Sequence, residues 1–551
     1  MNFSNIQIKV LNKTLEVIQG TTLLEISKLV EEHFKYPIIL AKIDNEYLEL
    51  SYKVMENCTI EFLDLTDSFA NRVYVNGLIF LVIYSTKEKY PELKLRVLHS
   101  IDKGLYIETN QKITSDIVDH IKEKMEEVVA RGMEISKINV TRMDAIDYFK
   151  SRDDLSKVGI MKYNTNTYVT LYKLGNMYNY IYSQMPVNTD SLTAFDLTYL
   201  NDHGFVLTFP TIYMKDGIKP YQHHPKIFEV FQDYRNWEKV IHLENVAQLN
   251  ERVSTGNISD LIRIDETLQD QRLLKIAMDI ETKRDQVKII LLAGPSSSGK
   301  TTTTKKLSMY FRSFGMNPTM ISMDDYFVDR EKTPVDENGR PDYERLDALD
   351  LDLFDRQIAE LLAGQEVRVP TFNFLLGMKE YRRTLRLGEN DVLMIEGIHA
   401  LNKEILKNIP EEKKIKIYLS ALTELNLDNE TRISTTDNRL LRRMVRDNRT
   451  RGYSVEQTLH NWSKVREGEE KYIFPFQDDA NYTFNTALIY EMGVLKTYAE
   501  PLLYSVEPTS PYYPEAKRLL NYLKVFLPIP SEDIPDTSLL REFIGGSCFH
   551  D

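Results

Sequence analysis

A run of small and hydroxylated residues in the second half of the chain has the spacing of a phosphate-binding loop. Gly294 is followed after four residues by Gly299, Lys300 and Thr301, which fits the pattern G-x-x-x-x-G-K-[ST]. In such a loop the backbone N–H groups face phosphate oxygens, the lysine neutralises the β- and γ-phosphates, and the threonine hydroxyl binds Mg²⁺. The pattern therefore predicts an ATP or GTP site formed by Gly294, Ser296, Ser297, Ser298, Gly299, Lys300, Thr301 and Thr302.

Two acidic residues follow short apolar strands further along the chain. Asp324 comes after "TMIS", and Glu396 comes directly after "VLMI". Ligands of open parallel sheets bind at the carboxyl ends of the strands, where a carboxylate can hold Mg²⁺ directly or through water. We expect Thr301, Asp324 and Glu396 to be the metal ligands, and Lys300 to be catalytic.

The segment 439–451 carries six arginines at close spacing. Like charges three or four residues apart repel one another on a helix, and a bound polyanion would remove that repulsion. The pattern predicts a lid that closes over a transferring phosphoryl group. A nucleic-acid patch, or a solvated helix paired with acids elsewhere, stays open as an alternative. The arginines are Arg439, Arg442, Arg443, Arg446, Arg449 and Arg451.

These segments are similar, in family order, to the motifs of the uridine kinase and phosphoribulokinase family over roughly residues 286–490. The matching runs are "GPSSSGKT", "ISMDDYF", "DYERLDALD", "VPTFNFLLGMK", "MIEGIHAL" and "RLLRRMVRDNRTRGY". The resemblance implies a P-loop kinase with a parallel sheet flanked by helices. It also implies that Asp324 is the general base facing a nucleoside 5′-hydroxyl, and that Arg446 and Arg451 are catalytic lid residues near the phosphates.

The resemblance also assigns an acceptor site. Glu344 and Arg443 would hold the ribose, and two phenylalanines would line the base pocket. The family's pyrimidine-contacting histidine falls on Gly377, a lid arginine falls on Tyr453, and the tyrosine hydroxyl of the base pocket is absent at Phe372. Because buried polar contacts discriminate most strongly between ligands, we expect an altered or relaxed base preference. The full predicted set is Asp324, Glu344, Phe372, Phe374 and Arg443.

The residues before the kinase segment predict two α/β or α+β modules and a connector. Residues 1–65 have a hairpin, a capped helix and further strands, and resemble the β-grasp TGS domain of threonyl-tRNA synthetases. Residues 66–215 resemble the α+β editing domain of those synthetases, but the family's Cys and His fall on Ile181 and Met185. We expect this domain to have lost its chemistry. Residues 216–285 predict a helical connector, and 286–551 the kinase domain with C-terminal helices.

Composition limits the partners. The 551 residues include 69 basic and 82 acidic side chains, a net charge of −13, which disfavours nucleic acid as the main ligand. Five tyrosines between 168 and 182 could stack on bases, but packing of a half-buried sheet is the interpretation that we favour. Two cysteines at opposite ends of the chain fit a reducing compartment. We expect a soluble cytoplasmic protein without a membrane partner, in which the N-terminal half covers or dimerises the kinase.

The sequence therefore predicts a Mg²⁺-dependent nucleoside kinase that uses ATP or GTP to make a nucleoside 5′-monophosphate. One alternative is a kinase of another hydroxyl acceptor, such as ribulose phosphate or pantothenate. Another is an RNA- or tRNA-binding regulator whose kinase domain acts as a nucleotide switch.

Overall fold

The computed structural model describes residues 4–212, 217–335, 339, 341–373, 376–423 and 425–549. Apolar strands and helices alternate along the chain and pack into several cores, as expected for a multidomain α/β and α+β protein. Among the helices of these residues, none is long and apolar enough to cross a lipid bilayer.

Residues 4–65 form a mixed sheet against a short helix. Strand alternation places Ile6, Ile8 and Val10 in the core, and the predicted capping box of Thr22 and Glu25 begins the helix. The strand order is β2-β1-β5-β3-β4, with β1 and β5 parallel. The TGS identity of this module stays a prediction. Its elements are β1 (Asn5–Val10), β2 (Lys13–Ile18), α1 (Leu23–Ser27), β3 (Leu40–Ile43), β4 (Glu46–Glu49) and β5 (Cys58–Leu63).

The next segment packs two antiparallel sheets around one long, largely buried helix. The sheet orders are β11-β12-β7-β6 and β10-β9-β8. Met185 is buried and Ile181 packs against the same core, so both side chains serve hydrophobic packing. The editing-domain identity stays a prediction. The elements are α2 (Ser68–Lys89), β6 (Leu95–Ile101), β7 (Gly104–Thr109), α3 (Ser115–Ala130), β8 (Ile135–Thr141), α4 (Arg142–Ser151), α5 (Leu155–Tyr163), β9 (Tyr168–Leu174), β10 (Met177–Asn179), β11 (Asp196–Asn201) and β12 (Gly204–Thr208).

The tyrosines of this region mainly pack against the protein. Tyr168 is exposed, whereas the other four are buried or half-buried. The Tyr182 hydroxyl donates to Asp428 at 2.9 Å, in the C-terminal half of the chain. Packing, rather than a row of free stacking rings, is therefore the role of these four: Tyr172, Tyr178, Tyr180 and Tyr182.

The predicted connector is helical. It consists of α6 (Pro225–Ile241), α7 (Val246–Ser254) and α8 (Ile258–Glu281). Phe231 of α6 packs into the core of the following α/β unit, and Asn245 caps α7. The connector therefore belongs to the packed body of the protein.

The C-terminal region is built on a parallel sheet of order β14-β17-β13-β18-β21. Its central strand β13 is fully buried, as expected when helices cover both faces. The carboxyl ends of all five strands meet at one edge. The elements are β13 (Ile289–Ala293), α9 (Lys300–Ser313), β14 (Asn317–Ser322), α10 (Leu351–Leu362), β15 (Val367–Asn373), β16 (Met378–Leu385), β17 (Asp391–Glu396), β18 (Lys414–Ser420), β19 (Asn426–Asp428), β20 (Thr431–Arg432), α11 (Thr435–Arg451), α12 (Val455–Tyr472), β21 (Tyr482–Asn485), α13 (Glu491–Tyr504), α14 (Tyr513–Leu523) and α15 (Arg541–Ile544).

A buried ion cluster joins the two halves of the chain. Lys157 of α5 is 1% exposed and contacts Asp154 at 3.3 Å, Asp428 at 3.8 Å and Glu430 at 2.5 Å. Asp428 and Glu430 belong to the β19–β20 hairpin, which directly precedes the arginine-rich helix α11. The N-terminal half therefore contacts the segment from which the predicted lid begins.

Replacing this lysine by an apolar residue tests the cluster. Lys157→Met leaves three carboxylates without their shared cation, so we expect a loss of about 3–5 kcal/mol in the free energy of unfolding at pH 8. Burial already raises the pKa of Asp428 and Glu430, so protonation at pH 5 should reduce the loss. Lys162→Met, an exposed change on the same helix, is the control. Thermal unfolding at both pH values provides the measurement, and equal effects of the two substitutions would contradict the account.

Candidate active site

The phosphate loop connects the carboxyl end of β13 to the first turn of α9. Gly299 has φ +80° and Ser297 has φ +60°, so the backbone curls through the left-handed region twice. A Cβ atom at Gly294 would lie 2.3 Å from the carbonyl oxygen of Leu419 on the neighbouring strand, so only glycine fits there. The loop has the compact curl that the sequence pattern predicts.

The polar side chains of the loop are of the kind that binds phosphate. The Lys300 amino group donates to the carbonyls of Gly294 at 3.0 Å and Pro295 at 3.3 Å. Ser297 and Ser298 are buried, and their hydroxyl oxygens have no hydrogen-bond partner within the described residues. A bound phosphate would satisfy orphaned groups of this kind, so the residues present fit the predicted ligand.

The two predicted metal-binding acids come together at the strand ends. Ser322 and Glu396 are register partners on adjacent strands, and the Ser322 hydroxyl donates to Glu396 at 3.0 Å. Burial raises the pKa of Glu396 to about 7. The negative charge of Asp324 adds to this rise, and the positive charge of Lys300 opposes it. The Asp324 residue is exposed just after the end of β14. The surrounding protein nevertheless excludes enough water to raise the pKa of its carboxyl as well. Lys300, Arg451 and Arg446 oppose that rise, so all three cations act on Asp324.

These oxygens suit Mg²⁺ in number and type. Thr301 is exposed in the first turn of α9, beside Lys300. No group of three or more His, Cys, Asp or Glu side chains within the described ranges is placed to hold a metal ion. Mg²⁺ keeps several waters and takes further oxygens from phosphates, so two carboxylates and one hydroxyl are a sufficient protein contribution.

The predicted ribose-binding pair lies beside the loop. Burial raises the pKa of Glu344 to about 7, and the charges of Arg443 and Lys300 oppose the rise. Arg443 donates to the hydroxyl of Ser296 at 2.7 Å. A Cβ atom at Gly468 of α12 would lie 2.7 Å from the Cβ of Glu344, so a bare backbone lets Glu344 pack against that helix.

The aromatic position of the predicted base pocket is part of a cluster. Phe372 is buried, and its ring meets those of Phe327 and Tyr343 edge-on at 5.7 and 6.5 Å between centroids. Its backbone N–H donates to Asp325 at 3.2 Å, so Asp325 has a structural partner. Phe374 lies outside the described residues.

Steric contacts explain why residue 377, which corresponds to the family's histidine, is a glycine. Gly377 has φ +70°, and a Cβ atom there would lie 2.8 Å from the side chain of Arg330. A histidine would be strained in both respects. The chain therefore makes no side-chain contact to a base from this position.

Two arginines of α11 are neutralised by the protein rather than by a bound polyanion. Arg439 pairs with Glu469 and Arg442 pairs with Glu491, and all four side chains are buried. The prediction that a bound polyanion neutralises the helix is wrong for these two arginines, since acids of the protein do so. Pairing with acids elsewhere was among the alternatives, although these pairs are buried rather than solvated.

Asp447 contacts three of the four remaining arginines of the helix. Its buried carboxylate lies 3.3 Å from Arg443, 2.8 Å from Arg446 and 3.6 Å from Arg451. Sequence reasoning missed this residue, although its spacing of four from both Arg443 and Arg451 was a usable signal. Asp447 holds three predicted site residues in one place.

The raised pKa of Glu396 gives a stability prediction. Its carboxyl is more easily protonated in the folded state, so its ionisation costs stability increasingly from about pH 4.5 to about pH 7. Glu396→Gln keeps the acceptor for Ser322 and removes that cost. Without added Mg²⁺ or nucleotide, we expect the melting temperature to rise clearly at pH 8 and little at pH 5. Glu389→Gln, an exposed change just before the same strand, should have no such effect. A rise that is equal at both pH values would contradict the account.

Comparison with known proteins agrees with this geometry. Residues 289–488 match the model of the phosphoribulokinase / uridine kinase family. The uridine kinase of Staphylococcus epidermidis is 28% identical over 198 residues, which cover 36% of this chain and 86% of that protein. The uridine kinase of Staphylococcus aureus is 29% identical over 188 residues, covering 34% and 82%.

Solved structures align over the same share of the chain. A structure described as a "possible uridine kinase" from Bacillus stearothermophilus is 21% identical, covers 39% of this chain and 98% of its own, and has a TM-score of 0.28. D-glycerate 3-kinase from Cryptococcus neoformans is 13% identical, covers 38% and 89%, and has a TM-score of 0.27. From the family match and the two curated relatives, the C-terminal region of this chain contains a P-loop kinase domain of the uridine kinase and phosphoribulokinase type.

Proposed function

We propose that the protein is a nucleoside kinase that transfers the γ-phosphate of ATP or GTP to the 5′-hydroxyl of a nucleoside. The observation that carries the proposal is the placement of the acceptor residues at the phosphate loop: Arg443 donates to Ser296 of the loop at 2.7 Å, and the charges of Arg443 and Lys300 both act on Glu344. Asp324 is suited to a hydroxyl group, Glu344 to a diol and Lys300 to phosphate. A nucleotide switch needs only the last of these.

The donor binds in the phosphate loop. Lys300 exchanges its two carbonyl contacts for oxygens of the β- and γ-phosphates, while the loop N–H groups hold the other oxygens. The N-terminal end of α9 adds a favourable dipole. Thr301, Asp324 and Glu396 would hold Mg²⁺, which would supply positive charge to the phosphates.

Asp324 positions the acceptor hydroxyl. Its raised pKa makes the carboxylate a better proton acceptor than an ordinary aspartate. Phosphoryl transfer needs little early proton removal, so aiming the hydroxyl in line with the γ-phosphate is its larger contribution. Glu344 and Arg443 bind the ribose, and Phe372 lines the base pocket.

Arg446 and Arg451 stabilise the charge of the transferring phosphoryl group. Both contact Asp447 in this structure, so its carboxylate offsets part of the positive charge of the lid before substrates bind. The flexible side chains of Arg446 and Arg451 need only a short movement to exchange the Asp447 carboxylate for phosphate oxygens. The lid then excludes water from the reaction.

We further propose that the base preference is relaxed, and that residues 1–65 and 66–215 are TGS-like and editing-like modules with a structural role in a cytoplasmic enzyme. The closed space at Gly377 and the apolar Phe372 support the first point, because neither offers a polar contact to a base. The buried contacts of Lys157 with the β19–β20 hairpin support the second.

Two substitutions test the assignment of roles. Lys300→Met should lower kcat/KM for nucleoside phosphorylation by about 10²-fold or more, because the phosphate charge loses its cation. Asp324→Asn should lower kcat by about 10²- to 10⁴-fold and leave nucleoside binding largely intact. Lys275→Met, at an exposed site on α8, is the matched control and should retain full activity. The measurement is nucleoside-dependent formation of ADP from MgATP. The proposal fails if both site variants behave like the control, or if ATP hydrolysis does not depend on a nucleoside.

A further inference from the structure

A C-terminal segment outside the family match lies against the phosphate loop. Leu540, Phe543 and Ile544 are buried in the core that includes the lid helix. Arg541 donates to the carbonyls of Ser531 at 2.9 Å and Ile534 at 2.7 Å. The segment is therefore a fixed part of the structure, although the matched kinase region ends at residue 488.

An open cavity lies between this segment, the lid and the first turn of α9. Its volume is about 640 Å³, which is in the range of small-molecule sites. Residues from all three elements line it, among them Thr302, Lys305, Arg449, Gly545 and Phe549.

The order of the phosphates along a loop of this pattern determines which end of a nucleotide would lie next to this cavity. In loops of this pattern the lysine reaches the β- and γ-phosphates. Glu396 is the register partner of Leu292 on the strand that leads into the loop, so the γ-phosphate end faces the strand-end carboxylates. The α-phosphate then lies at the other end, near the N–H group of Thr302. The sugar and base extend beyond the α-phosphate, and the cavity adjoins Thr302 on that side.

A carboxylate of the C-terminal segment binds the first turn of α9 next to the cavity. Glu542 accepts a hydrogen bond from the N–H of Thr302 at 3.2 Å and from its hydroxyl at 2.7 Å. Arg449 of the lid donates to the carbonyls of Glu542 at 2.9 Å and Phe543 at 3.2 Å. The segment therefore contacts both the loop and the lid at the place where a nucleotide would enter.

We propose that residues 542–549 form the subsite for the sugar and base of the donor nucleotide, that Phe549 stacks on the base, and that Glu542 occupies the α-phosphate position until the nucleotide displaces it. This inference rests on the proposed function only in that the phosphate loop binds a nucleotide. The half-buried ring of Phe549 lines the cavity, and such rings stack on any base. The glycines at 545 and 546 leave the backbone bare on that wall.

Titration calorimetry with two probes separates the parts of the site. Magnesium tripolyphosphate contacts the loop alone, whereas MgATP also uses the base subsite. Phe549→Ala should weaken MgATP binding by about tenfold and leave tripolyphosphate binding unchanged. Tyr504→Ala, at an aromatic side chain that is 63% exposed on α13, is the control and should change neither. An unchanged ratio of the two affinities in Phe549→Ala would overturn the subsite.

Glu542→Gln tests the internal competitor. The carboxylate reduces the fraction of protein with a free loop, so its neutralisation should raise the affinity for both probes several-fold. Glu532→Gln makes the same charge change at an exposed position nearby in sequence and is the control. Equal dissociation constants for Glu542→Gln and the parent would overturn this part. If the protein prefers MgATP to tripolyphosphate through Phe549 but phosphorylates no nucleoside, the proposed function fails and this inference stands.

Discussion

Two buried arginine–glutamate pairs hold the lid helix against the phosphate loop, and the geometry of the site depends on them. Arg439 and Arg442 each use one guanidinium N–H to bind a loop carbonyl, of Ser296 and Ser297 respectively, both at 3.3 Å. In a trans peptide unit the N–H points opposite to the carbonyl. Fixing the Ser296 carbonyl therefore turns the N–H of Ser297 away from the lid helix, whereas the N–H of Ser298 donates to the Pro295 carbonyl at 3.2 Å and closes the turn of the loop. Loss of either glutamate would leave a buried unpaired cation beside the loop, which is strongly destabilising.

The same helix connects the catalytic site to the rest of the protein. At its N-terminal side, the β19–β20 hairpin lies against the N-terminal half, where Asn426 donates to the carbonyl of Val97 at 2.7 Å. At its C-terminal side, Arg449 binds the C-terminal segment. Segments from both ends of the chain therefore limit how the lid can move. This arrangement gives the non-kinase residues a physical role without any chemistry of their own.

Local patterns in the sequence predicted those features of the site and of the fold that one segment can form. The phosphate loop, the strand-end acids and the capping box at Thr22 are of this kind. What the sequence could not show was pairing across the chain, because tertiary packing alone decides it. Glu542 accepts a hydrogen bond from Thr302, which lies 240 residues earlier in the chain. Glu469 neutralises Arg439 of a helix whose charge pattern had predicted a polyanion-binding surface. An excess of like charge on a helix indicates a partner without indicating whether that partner is a ligand or the protein.

The acceptor that we propose for this site is a nucleoside, which is held through its ribose. The most direct measurement is ³¹P NMR of the products formed from MgATP with uridine, cytidine, adenosine and guanosine, each beside its 2′,3′-dideoxy analogue. The account predicts nucleoside 5′-monophosphates from more than one ribonucleoside, together with ADP, and much slower product formation from the dideoxy analogues. Formation of ADP and free phosphate alone, or equal rates for ribo- and dideoxynucleosides, would contradict it.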